Sequence, residues 1–136
     1  MACSVRRVDY FTTTVRDQPG AAYRLLTTQR PRDQPACVYG GSDWTLAHAA
    51  TLFPEDTGKL AREAQKDCLV LDGSHPALLV QGDDELGALA ELHMRLSDAR
   101  VNVYASTGVA DGRGSFGYII YVRPEEYDRA VVSLGL

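Results

Sequence analysis

The feature that most limits what this chain can fold into is an internal repeat, because self-similarity at a fixed spacing means that one supersecondary unit is used twice. A strand-like run, Val8-Asp9-Tyr10-Phe11-Thr12-Thr13-Thr14-Val15, leads through Asp17-Gln18-Pro19-Gly20 into the helical pattern Ala21-Ala22-Tyr23-Arg24-Leu25-Leu26. In the same way Ala77-Leu78-Leu79-Val80-Gln81 leads through Asp84-Glu85-Leu86-Gly87 into Ala88-Leu89-Ala90-Glu91-Leu92-His93, at an offset of 84 minus 17, or 67 residues. Val38-Tyr39 then answers Val103-Tyr104. Leu46–Phe53 before Pro54-Glu55-Asp56 answers Phe116–Arg123 before Pro124-Glu125-Glu126, at 124 minus 54, or 70. The drift in offset places small insertions in loops. Each copy therefore reads strand, helix, strand, strand, helix.

Local chemistry marks the boundaries. Pro19, Pro54 and Pro124 fall at or beside first helical positions, where a missing N–H loses no bond, and Asp56, Glu125 and Glu126 put negative charge in first turns. Asp17 and Asp84 read as N-caps. Leu86, Leu89, Leu92 and Leu96 recur at steps of three and four, giving one apolar helix face, and Ile119-Ile120 with Val122 reads as a buried strand. Cys68-Leu69-Val70-Leu71 supplies a last strand for the first copy, and Gly73-Ser74-His75-Pro76 reads as a turn into the second. Leu134-Gly135-Leu136 ends the chain just after a helix, so the second copy is either truncated or completed by another strand, and an incomplete edge invites pairing. The expected class is α+β: a ferredoxin-like βαββαβ sandwich, with copies at 6–73 and 75–136 packed as one unit.

Composition narrows the function. The chain has 136 residues, enough to bury roughly 65–70% of its extended surface, with 45% hydrophobic and 24% charged residues. Its net charge of −4 disfavours a general attraction to nucleic acid or anionic membrane. No apolar run approaches a membrane span, and the opening Met-Ala-Cys-Ser-Val-Arg-Arg lacks the apolar core of a signal peptide, so the expected location is the cytoplasm. Cys3, Cys37 and Cys68 are an odd, widely spaced set without a C-x-x-C pair, and His48, His75 and His93 share no ligand spacing. Reduced structural thiols and packed histidines are expected, with no metal and no cofactor.

Asp17-x-Pro19-Gly20, the equivalent Asp84-x-x-Gly87, and Val101-Asn102-Val103 resemble the ACT domain family, small ferredoxin-like units that bind amino acids or other small effectors, usually at interfaces between paired units. The likeness covers essentially the whole chain. Short standalone bacterial proteins carrying tandem ACT units are similar throughout Leu79-Val80-Gln81-Gly82-Asp83-Asp84 and Tyr118 to Pro124. It implies a non-catalytic regulatory protein, a homodimer or higher oligomer through sheet or helix faces, an amino acid effector, and ligand-binding positions at Asp83, Asp84, Leu86, Gly87, Ala88, Asn102 and Val103, with Asp17, Pro19 and Gly20 in the first copy. The physics of such a site is independent of the family. A strand-to-helix loop offers backbone N–H groups for a carboxylate, and glycine lets a ligand approach. A carboxamide such as Asn102 both donates and accepts. Each position also has a plain structural use: Asp84 as a cap, Gly87 for helix packing, Asn102 as a strand start. Cys37 stands where Asn102 has its counterpart, so the second copy is the stronger site.

Other motifs point elsewhere and fail on context. Gly112-Arg113-Gly114-Ser115-Phe116-Gly117 matches G-x-G-x-x-G but precedes a strand, so it reads as a hairpin turn. Arg113-Gly114 with Phe116-Gly117-Tyr118-Ile119-Ile120-Tyr121 resembles the RNA-binding strand of an RRM with Ser115 inserted. Tyr118 and Tyr121 have opposite parity, however, and the acidic balance suits no phosphate backbone. No catalytic motif is present. An assembly module without ligand is the main alternative, and an RRM-like RNA binder the lesser one.

Overall fold

The computed structural model describes residues 3–16, 47–66 and 70–136. The expectations on Asp17, Pro19, Gly20, the helix at 21–26, Cys37-Val38-Tyr39, and Cys68 and Leu69 lie outside the described residues. The elements are β1 (Cys3–Arg16), β2 (Ala47–Leu52), α1 (Thr57–Lys66), β3 (Asp72–Asp83), α2 (Ala88–Asp98), β4 (Val103–Ala110), β5 (Ser115–Val122) and α3 (Pro124–Ser133). The expected α+β, ferredoxin-like class holds. The chain divides into two compact units, Met1–Asp9 with His75–Leu136, and Tyr10–Ser74.

In the first of these units the strands lie in the order β1-β3-β5-β4, with β5 antiparallel to both neighbours. Strand residues alternate between faces, so Leu78 and Val80 of β3 share a face with Ile120 and Val122 of β5. Leu92 and Leu96 of α2 and Ala130, Val131 and Leu134 by α3 close over that face and form the core. The strand beside β3 in this unit comes from Cys3–Asp9. Cys3 and Val5 pack against this core, and Ser4 Oγ donates to the Gln81 carbonyl at 3.3 Å. The opening of β1 alternates half-buried Cys3 and Val5 with exposed Ser4 and Arg6, as a strand with one covered face requires.

In the other unit the continuation of β1 pairs antiparallel with β2, from Phe11↔Leu52 to Arg16↔Ala47. Phe11 and Thr13 are buried, and Thr13 Oγ1 donates to the Val70 carbonyl at 2.8 Å. Pro54 was expected beside the first helical position, but α1 opens later, at Thr57. Asp56 is its cap, its Oδ1 accepting the Lys59 N–H at 2.9 Å, because an Asx cap satisfies an orphan amide that proline leaves open.

Two further expectations are corrected. Gly73-Ser74-His75-Pro76 is not a turn but part of the uninterrupted strand β3, and the two units divide between Ser74 and His75, within that strand. Gly73 is there for close approach: a Cβ would lie 2.8 Å from Phe11 Cδ1 and 2.9 Å from the Tyr10 carbonyl oxygen. Asp84 does not cap α2. Gly87 holds the N-cap position in the left-handed region (φ 83°), without a side-chain cap bond, so the turn before the helix absorbs Leu86. Leu92 and Leu96 are buried and Leu89 half-buried as the stripe requires, whereas Leu86 stands fully in solvent.

Candidate functional site

The loop from Asp83 to Ala88 is built by the end of β3 and the start of α2. The Asp84 N–H donates to the Gly114 carbonyl at 2.7 Å, tying the loop to the β4–β5 hairpin, and the Ala88 N–H reaches the Glu85 carbonyl at 3.2 Å. Gly87 faces open space, with nothing within 4 Å of where a Cβ would stand, while Ala88 is buried beneath the first helical turn. Leu86, fully exposed, projects from the same turn.

An open pocket of about 430 Å³ adjoins this loop, lined by Ser4, Gln81, Gly82, Asp83, Asp111, Ser115 and Phe116. Of the residues expected to bind ligand, only Asp83 lines it. Ser4, Asp111, Ser115 and Phe116 were missed by sequence reasoning, because three elements distant in the chain converge here. The legible signal was the Asp111-Gly112-Arg113-Gly114 turn. There the Asp111 carboxylate accepts the Arg113 N–H at 2.7 Å and the Ser115 N–H at 3.1 Å. Those two donors, Arg113 first, hold its pKa below the usual carboxylate range.

Asn102 and Val103 lie elsewhere. Val103 pairs with Val122 at one end of β5, and Asp83 pairs with Ser115 at the other, so seven residue steps, roughly 23 Å, separate the two parts of the expected site within one chain. The Asn102 N–H donates to Glu126 Oε2 at 3.3 Å, and Arg129 Nη2 donates both to Glu126 Oε1 at 3.2 Å and to the Arg100 carbonyl at 2.9 Å, securing the α2–β4 connection to α3.

His93 is half-buried on α2, and its Nε2 lies 3.0 Å from the Tyr118 hydroxyl. The Tyr118 ring sits over Gly108, where a Cβ would be 2.7 Å from Tyr118 Cδ2. Tyr121 points to the opposite face of β5 and lies beside Tyr104, the ring centroids 6.4 Å apart and the planes tilted by 39°. The two tyrosines of the RRM-like strand thus form no common platform. Among the described residues no group of three or more histidine, cysteine or acidic side chains could hold a metal ion, and no helix is long and apolar enough to cross a membrane.

No protein-family model matches the chain, and no curated protein matches it in sequence. Its likeness is to solved structures. Protein BT0572 from Bacteroides thetaiotaomicron superposes with a TM-score of 0.67 at 12% identity, over 96% of this chain and 88% of that one. The ligand-free regulatory subunit of aspartate kinase from Thermus thermophilus gives 0.52 at 10%, over 98% and 95%. The aspartokinase alpha and beta subunits give 0.51 at 13%, also over 98% and 95%. At such identities the likeness is one of fold alone, an α+β, ferredoxin-like arrangement shared with these aspartate kinase subunit structures.

Proposed function

We propose that the chain is a non-catalytic regulatory protein of two tandem ACT-like copies that binds a small amino acid at the Asp83–Ala88 loop and acts as a homo-oligomer in the cytoplasm. The observation that carries the reading is the turn itself: a left-handed glycine with open space beside it starts a helix, and the turn holds a leucine wholly in water next to an open pocket. Leu86 offers an apolar surface beside the pocket that a bound molecule would cover. In this reading the effector's carboxylate meets the first amides of α2, its ammonium group meets Asp83, and its side chain lies against Leu86 and Phe116. By sequence, Asp17, Pro19 and Gly20 are the corresponding ligand positions in the first copy.

Thermal-shift and calorimetric titration with the standard amino acids tests this. One amino acid at 100 times its dissociation constant stabilises the protein by about 2.7 kcal/mol, and Gly87→Val abolishes the response. Silence across the panel rejects the amino acid reading. A ligand-free assembly module is the second reading, favoured by the exposed outer edge of β4.

A further inference from the structure

We propose that the outer edge of β4 docks the extended carboxy-terminal segment of a partner protein, which joins the sheet antiparallel to β4, rests one large apolar side chain on Tyr118 and brings its terminal carboxylate to Arg100. Among the described residues β4 is last in the strand order, with β5 its one neighbour, and every residue from Tyr104 to Ala110 is exposed. Such an edge presents unpaired backbone N–H and C=O groups, which proteins ordinarily guard with a charge, a proline or a covering segment. Val-Tyr-Ala-Ser-Thr-Gly-Val-Ala contains neither charge nor proline. When an extended peptide adds to an edge of this kind, main-chain hydrogen bonds supply affinity and alternate side chains supply specificity.

The helix-side row of β4 decides which segment fits. Ser106, Gly108 and Ala110 lie on it, being paired with Ile120, Tyr118 and Phe116, and all three are small and exposed, so the helix layer leaves this strand uncovered. The Tyr118 ring reaches over that ledge because Gly108 has no Cβ to hold it off: one would stand 2.7 Å from Cδ2 and 3.4 Å from Cε2. His93 Nε2, 3.0 Å from the hydroxyl, fixes the far end of the ring. The half-buried ring is thus an apolar wall beside the edge, with no large side chain of β4 to cover it. A second copy of the chain cannot cover it, since a symmetric antiparallel pairing brings the same small residues to the same row. A partner strand with a large apolar residue opposite Gly108 does. Charge sets the direction. No residue of β4 is charged, while Arg100, just before the strand, forms no ion pair among the described residues, and Arg129 holds its carbonyl at 2.9 Å. A segment antiparallel to β4 ends beside Val103, on the Arg100 side, where a terminal carboxylate meets the guanidinium. The site is separate from the Asp83–Ala88 loop and does not depend on that loop's binding an amino acid.

Fluorescence polarisation of the full chain with a fluorescein-labelled octapeptide tests the docking. The probe alternates threonine with valine, carries phenylalanine as its third residue, opposite Gly108, and ends in a free carboxylate. It binds saturably with a dissociation constant of about 10–100 µM, and amide exchange in β4 slows in its presence. Replacing its phenylalanine by alanine weakens binding at least about tenfold. Amidating its carboxyl end weakens binding about threefold in wild type, as loss of an exposed ion pair does, and leaves it unchanged in Arg100→Gly, a substitution that the left-handed φ of 57° accommodates. No saturation up to about 1 mM overturns the proposal. So does binding that leaves exchange in β4 unchanged, or that is equally tight for the phenylalanine and alanine probes. An equal effect of amidation in wild type and Arg100→Gly overturns the assigned direction. A dimer whose β4 amides are already protected, and which takes no probe, shows that a second copy holds the edge and overturns the proposal as well.

Discussion

Leu86 and Leu96 stand ten residues apart on what the sequence presents as one apolar stripe, and the structure assigns them opposite energetic roles. Leu96 is fully buried in the core formed by β3, β5, α2 and α3, whereas Leu86 is fully exposed in the turn before Gly87. Truncating Leu96 to alanine removes three carbons from an apolar interior, about 2.4 kcal/mol at 0.8 kcal/mol each. A residual cavity of about 50 Å³ adds roughly 1.2 kcal/mol, for a total near 3.5 kcal/mol. Spread over 136 residues at about 2.1 cal/mol/K each, the unfolding entropy is near 0.29 kcal/mol/K, so Leu96→Ala lowers the melting temperature by about 12 °C. Leu86→Ala leaves stability within about 0.5 kcal/mol. Urea unfolding followed by far-UV circular dichroism measures both, with the loss in the midpoint and an unchanged slope. Equal losses for the two variants, or a Leu96→Ala loss below about 1 kcal/mol, would refute the assignment of the stripe.

Gly108→Ala forces the Tyr118 ring aside and disturbs its contact with His93, costing about 1–3 kcal/mol in the wild-type background and much less in a Tyr118→Leu background; equal costs in the two backgrounds contradict the packing. The Tyr127 hydroxyl donates to the Ala77 carbonyl at 3.3 Å, and burial foremost, with Asp9 and Asp128 adding and Arg7 opposing, raises its pKa above the ordinary phenol value. A phenol raised in the folded state contributes stability that is complete below the unfolded value near 10 and is lost as pH rises through the folded one. Stability measured from pH 9 upward therefore falls, and Tyr127→Phe flattens that limb without abolishing it, since burial and then Tyr104 raise Tyr121 as well. An alkaline limb unchanged in Tyr127→Phe contradicts this.

Much of the fold was legible because it depends on local signals. The run Ala77–Gln81 is strand whatever surrounds it, Pro124 with Glu125 and Glu126 opens a helix through dipole and φ preferences that act within one turn, and the glycines at 112 and 114 mark a hairpin. Opposite parity alone predicted that Tyr118 and Tyr121 would face apart. Periodicity fails at Leu86, because spacing does not report where a helix starts, and a left-handed Gly87 moves the start beyond it.

The candidate site divides in the same way. The sequence by itself determined the chemistry of the Asp83–Ala88 loop, since the residue types at a strand-to-helix junction fix which donors and acceptors are offered. Only the tertiary structure decided that Asn102 lies at the other end of β5, that Asp111 and Phe116 join Asp83, and that Cys3–Asp9 takes its place beside β3. Strand pairing joins segments far apart in the chain, β1 with β3 among them, through backbone groups that every residue carries alike. No side-chain code announces which edge a strand will complete; the burial of Cys3 and Val5 against a core made by the far end of the chain does.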